Sequence, residues 1–98
     1  MRRAMWIRIP VLRRFWFEFA VDRPDDLPPG ARLGCGVTAL TLEEATALLQ
    51  ERVFGGAALP PTRRVVPDID VSTLDPGRVQ NMGDPLREGI WFPPGYRA

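Results

Sequence analysis

The stretch LGCGVTALTLEEATALLQERVF, residues 33–54, contains the strand-to-helix junction around which the rest of the chain must fold. Thr41 is a favourable helix N-cap, and Glu44, three residues later, completes a capping box. The glycines Gly55 and Gly56 favour a helix end at that point. A helix of about 13 residues is marginal alone in water, so its apolar stripe must pack against a sheet. That stripe consists of Leu42, Ala45, Leu48, Leu49 and Val53.

Residues 33–40, before this helix, predict a strand that is interrupted by Gly34 and Gly36. Glycine inside a strand indicates a bulge or the close approach of another backbone segment, and we expect the bulge. A phosphate-binding loop is the alternative, but the third glycine of a dinucleotide site and the Gly-Lys-Ser/Thr of a P-loop are both missing. We therefore expect a structural role for the glycine pair, and a buried Cys35 between them rather than a reactive thiol.

Three further strands are expected, at residues 14–20, 63–71 and 89–92. Alternation in the first of them places Phe15, Phe17 and Phe19 on one face, which we assign to the side under the helix. Pro67 restricts the 63–71 strand to an edge of the sheet or divides it in two. The order of elements predicts an α+β fold, with a small mixed or antiparallel sheet of about four strands and one helix packed on one face.

The composition excludes several classes of function. The 98 residues suffice for one domain, and their thirteen basic residues are all arginine, with no lysine and no histidine. This excludes Ser-His-Asp chemistry, Schiff bases and histidine metal sites. A single cysteine excludes an internal disulfide and favours a cytoplasmic location. No apolar run approaches the ~20 residues of a membrane helix. We expect no cofactor, and a binding protein rather than an enzyme.

Charge divides the chain into two parts. Residues 1–14 carry five arginines and no acid, whereas residues 15–98 carry eight arginines and twelve acids, a net charge of −4. We interpret residues 1–14 as a basic N-terminal arm or edge strand, and residues 15–98 as a single α+β domain. Nucleic-acid binding through the arm is an alternative function, although the charge of the domain opposes phosphate.

The tryptophans provide the first candidate site. Trp16 lies opposite the phenylalanines on its strand, and Trp91 is predicted to lie opposite Ile90 and Phe92. Both indoles should then occupy the side of the sheet that the helix leaves uncovered, unless the N-terminal arm folds across it. Tryptophan and arginine are enriched at binding hot spots. The predicted partner face comprises Arg14, Trp16, Glu18 and Trp91.

A second candidate site consists of the acids Asp68, Asp70, Asp75 and Asp84. Asp68 and Asp70 share a face of the predicted strand and could bind one Mg²⁺ or Ca²⁺, which makes a metal-dependent hydrolase another alternative. The glycine and glutamate of an EF-hand are absent, as is the lysine of a metal-dependent nuclease. We therefore expect solvated or arginine-paired aspartates, with no bound metal.

Four stretches resemble those of small uncharacterised bacterial proteins from GC-rich genomes: GCGVTA (34–39), VSTLDP (71–76), NMG (81–83) and GIWFPPG (89–95). The resemblance covers residues 15–95 and implies no activity. Small α+β proteins with an acidic body are often toxin-neutralising (immunity) proteins or adaptors. We therefore expect a non-enzymatic protein-binding module of this kind, whose partner is another protein or a second copy of the chain.

Overall fold

The computed structural model of the protein describes residues 11–21, 23, 27–28, 30–80 and 82–93. Its antiparallel sheet consists of β1 (Arg13–Phe19), β2 (Cys35–Ala39), β3 (Thr62–Pro67) and β4 (Gly89–Phe92), in the order β3-β1-β2-β4. Helix α1 (Leu42–Arg52) packs on one face, and a short helix α2 (Pro76–Gln80) precedes β4. The predicted α+β fold of four strands and one packed helix is confirmed.

Helix α1 begins and packs as the sequence predicts, except at its first position. The hydroxyl of Thr41 accepts a hydrogen bond from the Glu44 N–H at 3.1 Å. Ala45 and Leu49 are fully buried, whereas Leu42, expected in the stripe, is 44 % exposed. The phenylalanines of β1 lie under the helix as predicted. The buried helix-side core comprises Phe15, Phe17, Ala31, Cys35, Val37, Ala39, Ala45, Leu49, Val53 and Ile90.

The opposite face of the sheet is covered as well, so the expectation of an uncovered face is wrong. Trp16 and Trp91 are each only 1 % exposed. The chain between β3 and β4 covers them. Burying two indoles in this way provides a large stabilisation, which they would lose if they were left in water. The second cluster comprises Trp16, Ile69, Trp91 and Phe92, with Val66, Val71, Leu74 and Met82 packed against it. Of the arm proposed as an alternative cover, residues 1–10 lie outside the described part of the chain.

The two glycines near the start of β2 make room for these indoles. A Cβ on Gly36 would overlap the six-membered ring of Trp91, and a Cβ on Gly34 would overlap the ring of Trp16. Gly34 also has a φ of 117°, which other residues rarely adopt, and it separates a 3-10 turn (Ala31–Leu33) from β2. The groups that come close to the glycines are mainly two aromatic rings, rather than the backbone that was the predicted alternative. The predicted irregularity is present, because the pairing of β2 with β4 shifts register between Gly36 and Val37.

Strand β4 does not keep the predicted alternation of side chains. Gly36 pairs with Phe92 and Val37 pairs with Ile90, so the register shifts between these two pairs. Because of this irregularity, Trp91 and Phe92 both belong to the second cluster, whereas Ile90 lies in the helix-side core. The expectation that Phe92 shares a face with Ile90 is wrong.

Strand β3 is shorter than predicted. It ends at Pro67, and Asp68 follows with a φ of 53°, in the left-handed region, which extended strands do not contain. A 3-10 turn (Val71–Thr73) then occupies the rest of the predicted strand. Asp68 and Asp70 therefore do not share a strand face. The assignment of Pro67 to an edge strand is confirmed, since β3 is the outer strand beside β1.

Replacing Gly36 by alanine should destabilise the protein by about 1–3 kcal/mol, because the added methyl group overlaps the Trp91 ring in a packed core. Gly77→Ala is the matched control: its Cβ would lie at an ordinary 3.5 Å from Asp75 Oδ1. Urea denaturation followed by tryptophan fluorescence measures the free energy of unfolding of both variants. Equal stability of G36A and the wild type would show that Gly36 does not fix the ring position.

Candidate functional site

The tryptophans of the predicted partner face form an internal aromatic cluster. Trp16 and Trp91 stack with ring centroids 6.0 Å apart and an interplanar angle of 28°. Phe92 packs at a tilt against Trp16, with centroids 5.7 Å apart. Because both indoles are buried, only Arg14 and Glu18 of the four predicted residues reach the surface, and both are half-buried. The cluster is thus part of the core of the folded chain.

Glu18 is bound on both sides within its own domain. Its Oε2 accepts a hydrogen bond from Trp16 Nε1 at 2.9 Å, and its Oε1 accepts one from Arg63 Nη2 at 2.7 Å. The hydrogen bond from Trp16, reinforced by Arg63 and Arg64 and opposed by partial burial, holds the pKa of Glu18 below its ordinary value. Glu18 therefore positions Trp16 and links β1 to β3.

Trp91 lacks such a partner. Its Nε1–H is buried and donates to no hydrogen-bond acceptor in the described part of the chain. A buried donor without an acceptor lowers the stability of the folded protein by about 1–3 kcal/mol. The two stacked indoles therefore differ in their contribution to stability, although their burial is equal.

Three of the four predicted acids cap turns of the backbone. The bonds run from Ser72 N–H to Asp70 (3.0 Å), from Gly77 N–H to Asp75 (3.0 Å) and from Leu86 N–H to Asp84 (2.9 Å). Asp70 also accepts from the Ser72 hydroxyl at 2.7 Å, and these bonds hold the pKa of Asp70 below its ordinary value. Short polar side chains commonly stabilise turns in this way, so these acids have structural roles.

Asp68 forms an ion pair instead. Both carboxylate oxygens accept hydrogen bonds from Arg13, at 2.9 Å from Nε and 2.7 Å from Nη2. This bidentate contact lowers the pKa of Asp68 and raises that of Arg13. It attaches the turn after β3 to the start of β1, and it matches the predicted arginine-paired aspartate.

The described residues do not assemble a metal site. Within them, no three histidine, cysteine or acidic side chains converge closely enough to hold a metal ion. Asp68 and Asp70 were the ligands predicted for a metal-dependent hydrolase, but they lie in successive turns with the separate partners given above. Oxygen ligands for Mg²⁺ or Ca²⁺ must surround one point, and these two do not suffice.

Two open pockets of about 320 Å³ lie on the surface. One is at the end of the sheet, where Arg14 meets Asp68, Asp70 and the 71 % exposed Leu86. The other separates α1 from the start of β4. Its lining comprises Glu44, Ala47, Leu48, Glu51, Arg52, Glu88 and Gly89. Neither pocket is lined by a serine, threonine or cysteine, so neither offers a hydroxyl or thiol nucleophile.

Cys35 is fully buried in the helix-side core, as predicted. Burial in apolar surroundings raises the pKa of its thiol to about 12. Since the thiolate is the reactive form, the thiol is inert at neutral pH.

The outer edge of β3 is the feature that the predicted sites did not include. Among the strands that the structure describes, β3 pairs with β1 alone, and its side chains are exposed at Thr62, Arg63 and Arg64. In a strand, backbone N–H and C=O groups point alternately to both sides, so the outer side of β3 carries groups without a strand partner in the described sheet. At the opposite edge of the sheet, Gly83 N–H donates to the Trp91 carbonyl at 2.6 Å and covers part of β4. Pro67 was the sequence signal for this open edge.

Comparisons with known proteins add no relationship: no family model, no curated protein and no solved structure matches this chain. Neither helix in the described ranges has the length and apolar character needed to cross a membrane.

Replacing Trp16 by phenylalanine should destabilise the protein by about 1–2 kcal/mol more than replacing Trp91. W16F removes the donor that Glu18 accepts from, whereas W91F removes a buried donor that lacks an acceptor. Chemical denaturation measures the free energy of unfolding of the two variants. A larger loss of stability in W91F than in W16F would contradict the prediction. Alanine at either position should cost about 3–5 kcal/mol, so alanine variants would report unfolding rather than lost binding.

The Cys35 thiol should make the protein less stable in alkali. Its pKa is 9.0 in the unfolded chain and about 12 in the fold, so above pH 9 the unfolded chain releases a proton that the folded chain retains. The free energy of unfolding should therefore fall by up to about 1.4 kcal/mol per pH unit from this group. Measuring the free energy of unfolding of the wild type and of C35A between pH about 8 and about 10.5 isolates the effect. The same dependence on pH in both proteins would contradict it.

Proposed function

We propose that this protein is a non-enzymatic protein-binding module, and that it binds its partner through the outer edge of β3. The observation that carries the proposal is the exposed edge strand Thr62–Pro67, which within the described sheet pairs with β1 alone. A strand of a partner protein can add to such an edge by forming main-chain hydrogen bonds, a common mode of peptide recognition.

The shape of this edge suits a short partner strand. Pro67 ends the strand, and a register shift between Glu18 and Phe19 interrupts its pairing with β1 near the other end. Both features limit the straight part of the edge to a few residues, which disfavours open-ended aggregation between copies of the chain. Val65 and Val66 are half-buried, so the middle of the strand is anchored in the two cores of the domain.

Catalytic alternatives have less support. Cys35 is buried with a protonated thiol, and neither open pocket is lined by a hydroxyl or thiol nucleophile. The nucleic-acid alternative depends on the basic arm, most of which lies outside the described residues, and the acidic charge of residues 15–98 opposes it.

An immunity-type or adaptor role in the cytoplasm of a bacterium is the more specific form of the proposal. It is supported by the size of the chain, by the resemblance of its short stretches and by the net acidic charge of residues 15–98. The acidic pocket between α1 and β4 would suit a basic surface of the same partner. The identity of a captured partner tests this form directly.

Amide hydrogen exchange on a captured complex tests the binding mode. The protein is used to isolate a partner from a lysate of its source organism, and exchange is then compared between the free and bound protein by mass spectrometry. We expect the amides of residues 62–67 to exchange readily when free and to be protected at least about tenfold when bound, because new main-chain hydrogen bonds slow exchange. Protection confined to α1, or a failure to capture any protein, would contradict the proposal.

A further inference from the structure

We infer that the partner strand of β3 alternates acidic and apolar side chains at adjacent positions, with the acid opposite Arg64 and the apolar residue opposite Val65. This inference rests on the proposed function, because it names the chemistry of the segment that the open edge of β3 takes. It is derived from the charges on β3 and from the face on which each of its side chains lies.

The open edge is positively charged. Arg63 and Arg64 are adjacent and exposed, and the Arg63 side chain remains 69 % exposed even with its ion pair to Glu18. Arg64 lies opposite Glu18 in the register of β1 and β3, but it forms no ion pair among the described residues. Two guanidinium groups therefore share a single neighbouring carboxylate, which leaves a net positive charge on this outer strand.

The alternation follows from the pleat of the strand. Val65 packs against the helix-side core, whereas Val66 packs against the tryptophan cluster and Arg64 lies opposite Glu18. Side chains paired across two strands lie on the same face, with Cβ atoms about 4.5–5.5 Å apart. A carboxylate opposite Arg64 would thus be within reach of its guanidinium, which binds carboxylates at two points, and an apolar residue on the other face would extend the packing of Val65.

A second copy of the chain fits this edge less well. Pairing β3 with the β3 of another copy would bring Arg63 and Arg64 from both strands to one junction, with four guanidinium groups close together. Like charges close together across paired strands are destabilising. Charge complementarity therefore favours an acidic segment of another protein.

Three synthetic peptides test the inference directly: the acidic TEVEVT, its neutral isostere TQVQVT and the basic TKVKVT, each with blocked ends. Each is titrated into the ¹⁵N-labelled full-length protein, and the amide shifts of residues 62–67 are followed by NMR. We expect TEVEVT to bind at this strand about fivefold more tightly than TQVQVT, since exposed ion pairs contribute modestly, and TKVKVT to bind most weakly. The preference should shrink at about 0.5 M salt, where the charges are screened.

The variant Arg64→Glu should abolish the preference for TEVEVT, whereas Arg87→Glu, the same charge change at an exposed loop position, should preserve it. Equal affinity of all three peptides, unchanged in R64E, would overturn the inference but leave the open edge as the binding site. Peptides that shift no amide of residues 62–67 would count against the binding edge itself. A dimer in sedimentation equilibrium whose formation shifts the amides of residues 62–67 would overturn the inference, because a second copy would then occupy the edge.

Discussion

The packing of two tryptophans against two glycines is the constraint on which the rest of the structure depends. Gly34, just before β2, and Gly36, within β2, carry no side chain, and the rings of Trp16 and Trp91 fill the space that results. Burying surfaces of this size requires a cover, which the chain between β3 and β4 provides. The domain therefore has three layers, with α1 on one face of the sheet and irregular turns on the other.

This arrangement determines where backbone hydrogen-bonding groups remain accessible. With both faces of the sheet covered, the remaining backbone hydrogen-bonding capacity lies at its edges. The outer side of β4 is partly occupied by Gly83, whereas the outer side of β3 has no strand partner within the described sheet. The turns of the cover also account for the acids that suggested a metal site: Asp70, Asp75 and Asp84 each hold a turn in place, and Asp68 holds Arg13. Burial and turn formation thus explain why neither predicted site is a free surface.

Charge is distributed unevenly over this small domain. Arginines flank the open edge of β3, while glutamates of α1 and of the turn before β4 line a pocket elsewhere on the surface. Such opposite surfaces favour specific orientation of a charged protein partner more than they add affinity, because exposed ion pairs are weak and screened by salt. A protein that bears both charges can discriminate between partners without an enclosed pocket.

Local patterns alone determined the elements of this protein: the capping box at Thr41 and Glu44 set the start of α1, the spacing of Phe15 and Phe17 set the helix-side face, and Pro67 marked an edge strand. These features depend on residues a few positions apart, so the sequence displays them directly. Only the tertiary structure decided that Trp16 and Trp91 are buried, that Phe92 joins them and that the strand ends before Asp68. Those outcomes depend on contacts between distant segments, on a register shift and on a left-handed residue, and no short-range periodicity encodes them.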